Sequence, residues 1–271
     1  MSVLLHISDT HFGTEQGPVV AALRALARER RPDLIVLSGD VTQRATERQF
    51  ALARSTMNEL AAGIPLLVLP GNHDIPLYNL AMRAVRPYAR YLQAFGPRLE
   101  PVLESNDFLV IGVNTTRRER HTNGVVSPGQ IEAVCQRLAQ AGPRQLRVVV
   151  THQPAAVLRA SDEHDRLRGA DAALQAWSAA GADLVLGGHI HLPYVVQLQE
   201  QSPPTPRPMW CVQAGTALSH RVRWGTSNSV NLIHWHPPSV GGPRSCRVER
   251  CDYDAEAGVF LSASDQVLAL A

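Results

Sequence analysis

The segment that most strongly indicates the fold of this chain is Leu66-Leu67-Val68-Leu69-Pro70-Gly71-Asn72-His73-Asp74. The four apolar residues predict a short buried strand, and the Pro-Gly pair predicts a turn after it. The turn ends in Asn72, His73 and Asp74, whose amide, imidazole and carboxylate groups can bind ligands or take part in catalysis. We therefore expect a strand whose carboxyl end delivers polar side chains to a site.

Short apolar runs of this kind recur along the first two thirds of the chain. Apolar runs rich in Val, Ile and Leu lie at residues 3–8, 33–38, 65–69, 108–113, 146–151 and 182–186. Amphipathic, alanine-rich segments lie between them at residues 18–30, 46–62, 128–141 and 170–180. This alternation is typical of βα units and predicts parallel strands with helices packed on them.

The predicted pattern of secondary structure changes after residue 192. Strand-like segments at residues 194–198, 209–213, 229–235 and 246–251 follow one another without helices, which favours antiparallel pairing. A mixed sheet, or two sheets face to face with helices outside, fits both parts. We expect one domain over residues 1–271, with a cap-like helical insertion at 76–97 and a mainly β part at 192–271.

Polar residues at the ends of these runs are the candidate functional residues. They are Asp9 and His11 after the first run, Gly39 and Asp40 after the second, Asn72, His73 and Asp74 after the third, His152 after the fifth, and Gly188, His189 and His191 after the sixth. Ligands of open α/β sheets bind outside the carboxyl ends of the strands. We therefore expect these turns to converge on one crevice.

The donor types predict a metal site. Asp9 and His11, like His189 and His191, are two residues apart, a spacing that places both side chains on one side of an extended chain. Imidazole nitrogen mixed with carboxylate and amide oxygen suits Mn, Fe, Co, Ni or Zn better than Ca or Mg. Seven donor side chains are more than one such ion can bind while it keeps a coordination position open. Two ions bridged by one carboxylate fit better, an arrangement that promotes in-line displacement at phosphorus.

In order and spacing, these motifs between residues 9 and 191 resemble the calcineurin-like metallophosphoesterase superfamily. The resemblance implies an α/β fold, a four-layer α/β/β/α sandwich of two mixed sheets with outer helices. It implies one ion held by Asp9, His11 and His191, a second held by Asn72, His152 and His189, and Asp40 bridging the two. A hydroxide between the ions would attack phosphorus. His73 would serve the leaving group, and Asp74 would orient the His73 ring.

The resemblance also narrows the substrate class. Similar protein phosphatases carry Asp-Arg-Gly after the second motif, similar sugar-lipid pyrophosphate hydrolases replace the histidine at position 73 with arginine, and similar repair nucleases are longer. The string Gly39-Asp40-Val41-Thr42-Gln43 and His73 resemble the bacterial class III cyclic-nucleotide phosphodiesterases. We expect a phosphodiesterase acting on 3',5'-cyclic nucleotides or similar small diesters, with Mn or Fe as the leading metals and Zn, Co or Ni as alternatives. A phosphomonoesterase, a small-oligonucleotide nuclease and a non-catalytic metal-organised scaffold are the alternatives in function.

Residues outside these motifs give weaker indications. Asn114 at a strand end, and Arg221 and Arg223 on a glycine-punctuated loop, are candidate substrate-binding residues. The acidic run 162–165 is expected to be a solvated loop, as is the basic run Arg117, Arg118, Arg120 and His121.

Composition excludes several classes of protein. The 271 residues include 26 basic side chains, all arginine, against 24 acidic ones, and the net charge of +2 argues against an extended nucleic-acid surface. Neither a signal peptide nor an apolar run long enough to span a bilayer is present, so we expect a cytoplasmic protein without a membrane partner. The four cysteines lack C-x-x-C spacing and are expected to be free. A homo-oligomer remains open.

Overall fold

The computed structural model describes residues 1–120, 122–239 and 242–271. The strands are β1 (Ser2–Ile7), β2 (Leu34–Ser38), β3 (Leu66–Leu69), β4 (Val102–Glu104), β5 (Phe108–Gly112), β6 (Leu146–Val150), β7 (Leu184–Gly187), β8 (Tyr194–Gln197), β9 (Trp210–Gln213), β10 (Ser229–Trp235), β11 (Ser245–Asp254) and β12 (Val259–Ala269). The α-helices are α1 (Gly17–Arg30), α2 (Glu47–Ala61), α3 (Leu80–Val85), α4 (Ala89–Phe95), α5 (Pro128–Leu138) and α6 (Ala170–Ala179).

The strands form two mixed sheets. The first has the order β12-β11-β10-β1-β2-β3, and the second has the order β4-β5-β6-β7-β9-β8. Strands β1, β2 and β3 pair in parallel, as do β5, β6, β7 and β9, whereas the remaining pairs are antiparallel. The predicted strands are confirmed, and β4 and β12 are additions that the sequence pattern did not predict.

Alternation along the strands creates three apolar layers. On β1, Leu5 packs with the buried faces of α1 and α2, while Leu4 packs with side chains of the second sheet. The outer face of the second sheet packs against α5 and α6, with Trp177 fully buried between them. The predicted four-layer α/β/β/α sandwich is therefore confirmed.

The ends of the helices follow local capping rules. The Thr46 hydroxyl accepts a hydrogen bond from Gln49 N at the start of α2, and Ser127 and Gln130 cap α5 reciprocally. Pro18 and Pro128 lie in the first turns of α1 and α5, where a missing N–H costs nothing. These caps fix the residues at which the helices begin.

The predicted insertion contains α3 and α4. Tyr91 on α4 is buried, and its hydroxyl donates a 2.7 Å hydrogen bond to the Val68 carbonyl, which ties the insertion to β3. Tyr78, by contrast, is 77% exposed.

Among the described residues, no helix has both the length and the hydropathy needed to cross a bilayer. All four cysteines are free, as predicted.

Candidate metal centre

The polar turns of both sheets meet at the carboxyl ends of the parallel strands. Backbone hydrogen bonds continue past the strand ends: Asp9 N donates to Gly39 O, and His11 N donates to Asp40 O. Between the turns after β6 and β7, Gly188 N donates to His152 O. These bonds bring residues that are far apart in sequence to one edge of the sandwich.

One group of donors contains Asp9, His11 and His191. The His191 Nε2 atom lies 3.1 Å from His11 Nε2 and 3.3 Å from Asp9 Oδ1. A 2.6 Å hydrogen bond joins His191 Nδ1 to the Arg221 carbonyl, which leaves Nε2 facing the group. Three donors of mixed nitrogen and oxygen type therefore converge at this position.

A second group contains Asp40, His152 and His189. The Nε2 atom of His152 lies 3.3 Å from Asp40 Oδ1 and 3.1 Å from Asn72 Oδ1. Its Nδ1 bonds the Ser38 carbonyl at 2.9 Å, so Nε2 faces the other donors. Asn72 thus joins this group as an amide oxygen donor.

Asp40 lies between the two groups. Its Oδ2 is 3.7 Å from His11 Nε2, and its Oδ1 faces His152 and also accepts a 2.8 Å hydrogen bond from His73 N. Each carboxylate oxygen therefore faces one group, a geometry that allows a single carboxylate to contact two ions.

The donor set fits divalent transition metals. Imidazole nitrogen, carboxylate oxygen and amide oxygen in one buried site match the preferences of Mn, Fe, Co, Ni and Zn. The Nδ1 atom of His189 is buried and has no hydrogen-bond partner among the described residues, as expected of a nitrogen that ligates an ion. The residues present therefore fit two ions.

Burial and charge set the protonation of the site. Burial alone would raise the pKa of Asp40, but interactions with His152 and His73 hold it well below its usual range. The pKa of Asp9 is also held low, because interactions with His191 outweigh burial. Burial lowers the pKa of His11 to about 3, although Asp40 and Asp9 act in the opposite direction. Ionised carboxylates and a neutral imidazole are the forms that bind metal ions.

The backbone at the site departs from the extended geometry expected from the sequence. Asp9, His11, Asp40, His189 and His191 all have positive φ, between 42° and 74°. The extended backbone expected for both pairs is therefore wrong, although Asp9 and His11 lie in one donor group, and His189 and His191 lie in the separate groups that the resemblance implies for them. Left-handed residues other than glycine are rare and cluster at functional sites.

Two glycines permit the close approach of the turns. A Cβ atom at Gly188 would lie 2.3 Å from Asp9 Oδ2 and 1.9 Å from Ser8 Oγ. Gly39 has φ of +107°, and a Cβ atom there would lie 2.3 Å from His152 Nδ1. Side chains at these positions would displace candidate ligands directly.

His73 lies beside the metal ligands with its ring held by a backbone group. Its Nε2 is 4.0 Å from Asp40 Oδ2, and its Nδ1 is 3.1 Å from the Gln43 carbonyl. The expectation that Asp74 binds a His73 ring nitrogen is corrected here, because the Gln43 carbonyl takes that position. The sequence pattern contained no signal for this backbone contact.

The Asp74 carboxylate instead ties two turns together. It accepts hydrogen bonds from the Gly71, Val41 and Thr42 N–H groups and from the Thr42 hydroxyl. Burial, reinforced by the nearby Asp40 charge, raises its pKa to about 6. Asp74 therefore positions the turn that bears Asn72 and His73.

The three predicted substrate-binding residues have contacts within the protein, and two of them, Arg221 and Arg223, contact the segment that bears His189 and His191. The Asn114 side-chain oxygen accepts hydrogen bonds from Thr116 N at 3.1 Å and from the Thr116 hydroxyl at 2.7 Å. Arg223 forms a two-point ion pair with Asp162, at 2.8 and 3.1 Å. The Arg221 backbone carbonyl contacts His191, and its side chain is half-buried. Substrate contact by these three residues stays a prediction.

The loop interpretation of the acidic run needs correction. Asp162 is buried against Arg223, and the Asp165 carboxylate lies 3.5 Å from His189 Nε2, so the acidic run is part of the site's surroundings. The Arg117 guanidinium donates to the Asn114 and Thr116 carbonyls. His121 of the basic run lies outside the described residues.

The sequence is similar to two proteins named as phosphodiesterases. It is 26% identical over 165 residues to glycerophosphodiester phosphodiesterase GpdQ of Enterobacter lignolyticus, covering 56% of this chain and 57% of that protein. It is 24% identical over 179 residues to a probable cyclic nucleotide phosphodiesterase of Synechococcus, covering 66% of this chain and 65% of that protein. The match spans less than two thirds of the length of each relative.

The fold is shared with solved structures. A purple acid phosphatase from yellow lupin (Lupinus luteus) superposes with a TM-score of 0.72 over 99% of this chain and 53% of that chain, at 11% identity. The family model described as Calcineurin-like phosphoesterase matches residues 2–193, which include every candidate metal ligand. The chain therefore belongs to the calcineurin-like phosphoesterase family.

Proposed function

We propose that this chain hydrolyses small phosphodiesters at a centre of two divalent ions, with 3',5'-cyclic nucleotides as the leading substrate class. The observation that carries the proposal is the pair of donor groups that face one carboxylate, Asp40, with His73 beside it. Both relatives described above are named as phosphodiesterases, and one is named for cyclic nucleotides. These names support a diester as the substrate.

Each donor group would hold one ion. Asp9, His11 and His191 would hold one, Asn72, His152 and His189 would hold the other, and Asp40 would contact both. When bound, such a pair of ions supplies Lewis-acid polarisation of the phosphoryl oxygens and charge stabilisation for in-line displacement. The chain's own contribution is to fix the ligands on backbone that is already hydrogen-bonded between turns.

His73 is placed to serve the leaving group. A hydrogen bond from Nδ1 to the Gln43 carbonyl holds one proton on that nitrogen, so Nε2 is the atom that can donate to a leaving oxygen when the ring is charged. The His73 side chain is 18% exposed, which leaves it accessible to a substrate. Asp74 would act through the turn, by holding the backbone that carries His73.

Arg221 is the first arginine to test for contact with the substrate phosphate. Its backbone already bonds the proposed ligand His191, so the residue lies at the edge of the first donor group. The Arg223 guanidinium is occupied by Asp162, and its contact with substrate would require exchange of that ion pair. Asn114 would border the site from the loop after β5.

An activity panel with Mn²⁺ tests the proposal. The substrates are 3',5'-cyclic nucleotides, a glycerophosphodiester, bis- and mono-p-nitrophenyl phosphate, and short oligonucleotides, and Asp40→Asn is the matched control that retains side-chain size. We expect diesters to be hydrolysed faster than the monoester, with cyclic nucleotides preferred and Asp40→Asn inactive on all. A faster monoester would favour a phosphomonoesterase, preference for oligonucleotides would favour a nuclease, and no metal-dependent hydrolysis would favour a binding scaffold.

The remaining sequence-based interpretations stay predictions. The native metals are proposed to be manganese or iron, with Zn, Co and Ni as alternatives. A cytoplasmic location, a single domain over residues 1–271 and a homo-oligomeric state are also predictions.

A further inference from the structure

Asp165 places a carboxylate against the far side of a proposed metal ligand. It ends a 3-10 helix at Ala160–Asp165, and its Oδ1 lies 3.5 Å from His189 Nε2. A carboxylate therefore lies beside one ring nitrogen of His189.

The opposite nitrogen of the same ring, His189 Nδ1, is buried and unpartnered among the described residues, and the His189 side chain is only 8% exposed. Because Nε2 lies beside Asp165, we infer that Nδ1 is the atom that His189 offers to the second donor group. A carboxylate at Nε2 favours the tautomer with the proton on Nε2, and that tautomer leaves the Nδ1 lone pair free. The ring is thus held in the form and orientation that a metal ligand requires.

An ion pair fixes the helix that carries Asp165. Arg223 Nη2 and Nη1 donate to the Asp162 carboxylate at 2.8 and 3.1 Å, and Nη1 also lies 3.4 Å from the Ile190 carbonyl. Ile190 separates the two histidines His189 and His191. The loop that carries Arg223 therefore joins the 3-10 helix to the segment that bears both ligands.

We propose that Asp165 is a positioning residue that orients His189 toward the second ion, and that the Arg223–Asp162 ion pair holds Asp165 in place. The proposal rests on the ligand role of His189 in the proposed function. It also gives the acidic run a role that its sequence context did not indicate.

The test measures Mn²⁺ binding rather than turnover. Calorimetric titration of the metal-free protein with Mn²⁺, together with elemental analysis after dialysis, gives the affinity and stoichiometry of each ion. Asp165→Leu removes the hydrogen-bond acceptor at similar side-chain volume. We expect it to lower the affinity for the second ion, the one held by Asn72, His152 and His189, by roughly 10–100-fold, and to leave the affinity for the other ion unchanged. Asp165→Asn retains a neutral acceptor and should give a smaller loss.

Matched variants separate positioning from folding. Asp171→Leu removes a nearby carboxylate that pairs with Arg166, and it should bind both ions like the parent protein. Arg223→Gln should weaken the second ion less than Asp165→Leu does. Thermal unfolding in excess chelator should be the same for Asp165→Leu and Asp171→Leu, since the proposed role of Asp165 concerns the metal.

Two results would overturn the proposal at different levels. If His189→Ala loses one ion while Asp165→Leu binds both with parental affinity, the positioning role is wrong and the ligand set stands. If His189→Ala still binds two ions, the proposed ligand set itself fails, and this role fails with it.

Discussion

His6 should make the free energy of unfolding fall steeply in mild acid. The side chain is fully buried on β1, with Nε2 2.9 Å from Ser38 Oγ and Nδ1 3.4 Å from Asn231 Nδ2. A neutral ring with its proton on Nε2 fits both contacts, donating to Ser38 and accepting from Asn231. Burial lowers the pKa of His6 to about 3, although the Asp9 charge acts in the opposite direction.

The magnitude follows from proton linkage. The unfolded chain binds a proton at His6 near its ordinary pKa of about 6.5, whereas the folded chain does not until about pH 3. The contribution of His6 to stability is therefore complete above about pH 6.5 and is lost progressively as the pH falls through the window down to about 3. Between about pH 7.5 and about pH 5 the expected loss is about 2 kcal/mol.

Urea unfolding of the parent protein and His6→Gln at both pH values measures this loss. Glutamine can place its amide nitrogen near the position of the imidazole Nε2 and cannot take up a proton. We expect the parent to lose about 2 kcal/mol more than the variant on acidification. Equal losses in the two proteins would refute the assignment of a buried neutral imidazole at this position.

Three further predictions concern the site itself. His73→Ala should slow esters with alkyl-like leaving groups by roughly 100-fold or more and nitrophenolate esters much less, with metal content unchanged; equal losses in the two kinetic assays would contradict its leaving-group role. Asp40→Ala should lower bound metal below two ions per chain in elemental analysis, and retention of both would show that Asp40 is not shared. Gly188→Ala should cost about 1–3 kcal/mol in urea unfolding and weaken metal binding, because its Cβ would overlap Ser8 and Asp9; parental values for both would exclude that overlap.

Buried strands were predictable because burial leaves a pattern in the sequence. Residues 229–235 were predicted as a strand, and β10 has those bounds. Strand β1 is buried along its whole length, and the run predicted for it differs by one residue at each end. Both strands are rich in apolar residues, and this enrichment indicates where a buried strand lies.

Strand β12 was not predictable in this way, whereas the edge strands β3 and β8 were predicted. β12 spans Val259–Ala269 at the edge of the first sheet, and only Phe260 and Leu268 along it are buried. Neither a continuous apolar run nor a strict alternation marks it, and pairing with β11 defines it instead. Its position is a consequence of tertiary structure, which a single-sequence pattern does not contain.

The site was predictable where it depends on strand ends, and unpredictable where it depends on loop packing. Asp9 and Asp40 follow neighbouring parallel strands of the first sheet, so their convergence follows from that pairing, and His152 joins them from the end of β6 in the second sheet. The contacts of Gln43 O with His73 and of Asp165 with His189 arise between loops that no periodicity connects. Charged runs such as 162–165 are ordinarily solvated, and only the packing against Arg223 reveals the buried Asp162.

Main-chain hydrogen bonds help to hold the left-handed turns that carry the ligands. A non-glycine residue with positive φ costs of order 1–3 kcal/mol and persists where its surroundings fix it. At this site the bonds from Asp9 N to Gly39 O and from His11 N to Asp40 O join two such turns through the main chain. Because those bonds do not involve side-chain atoms, substitution of a histidine ligand leaves them in place. The Asp9 and Asp40 carboxylates, by contrast, accept hydrogen bonds from His189 N and His73 N. The loss of an ion can therefore be assigned to the missing donor atom in a histidine variant, whereas an aspartate variant also loses a contact between turns.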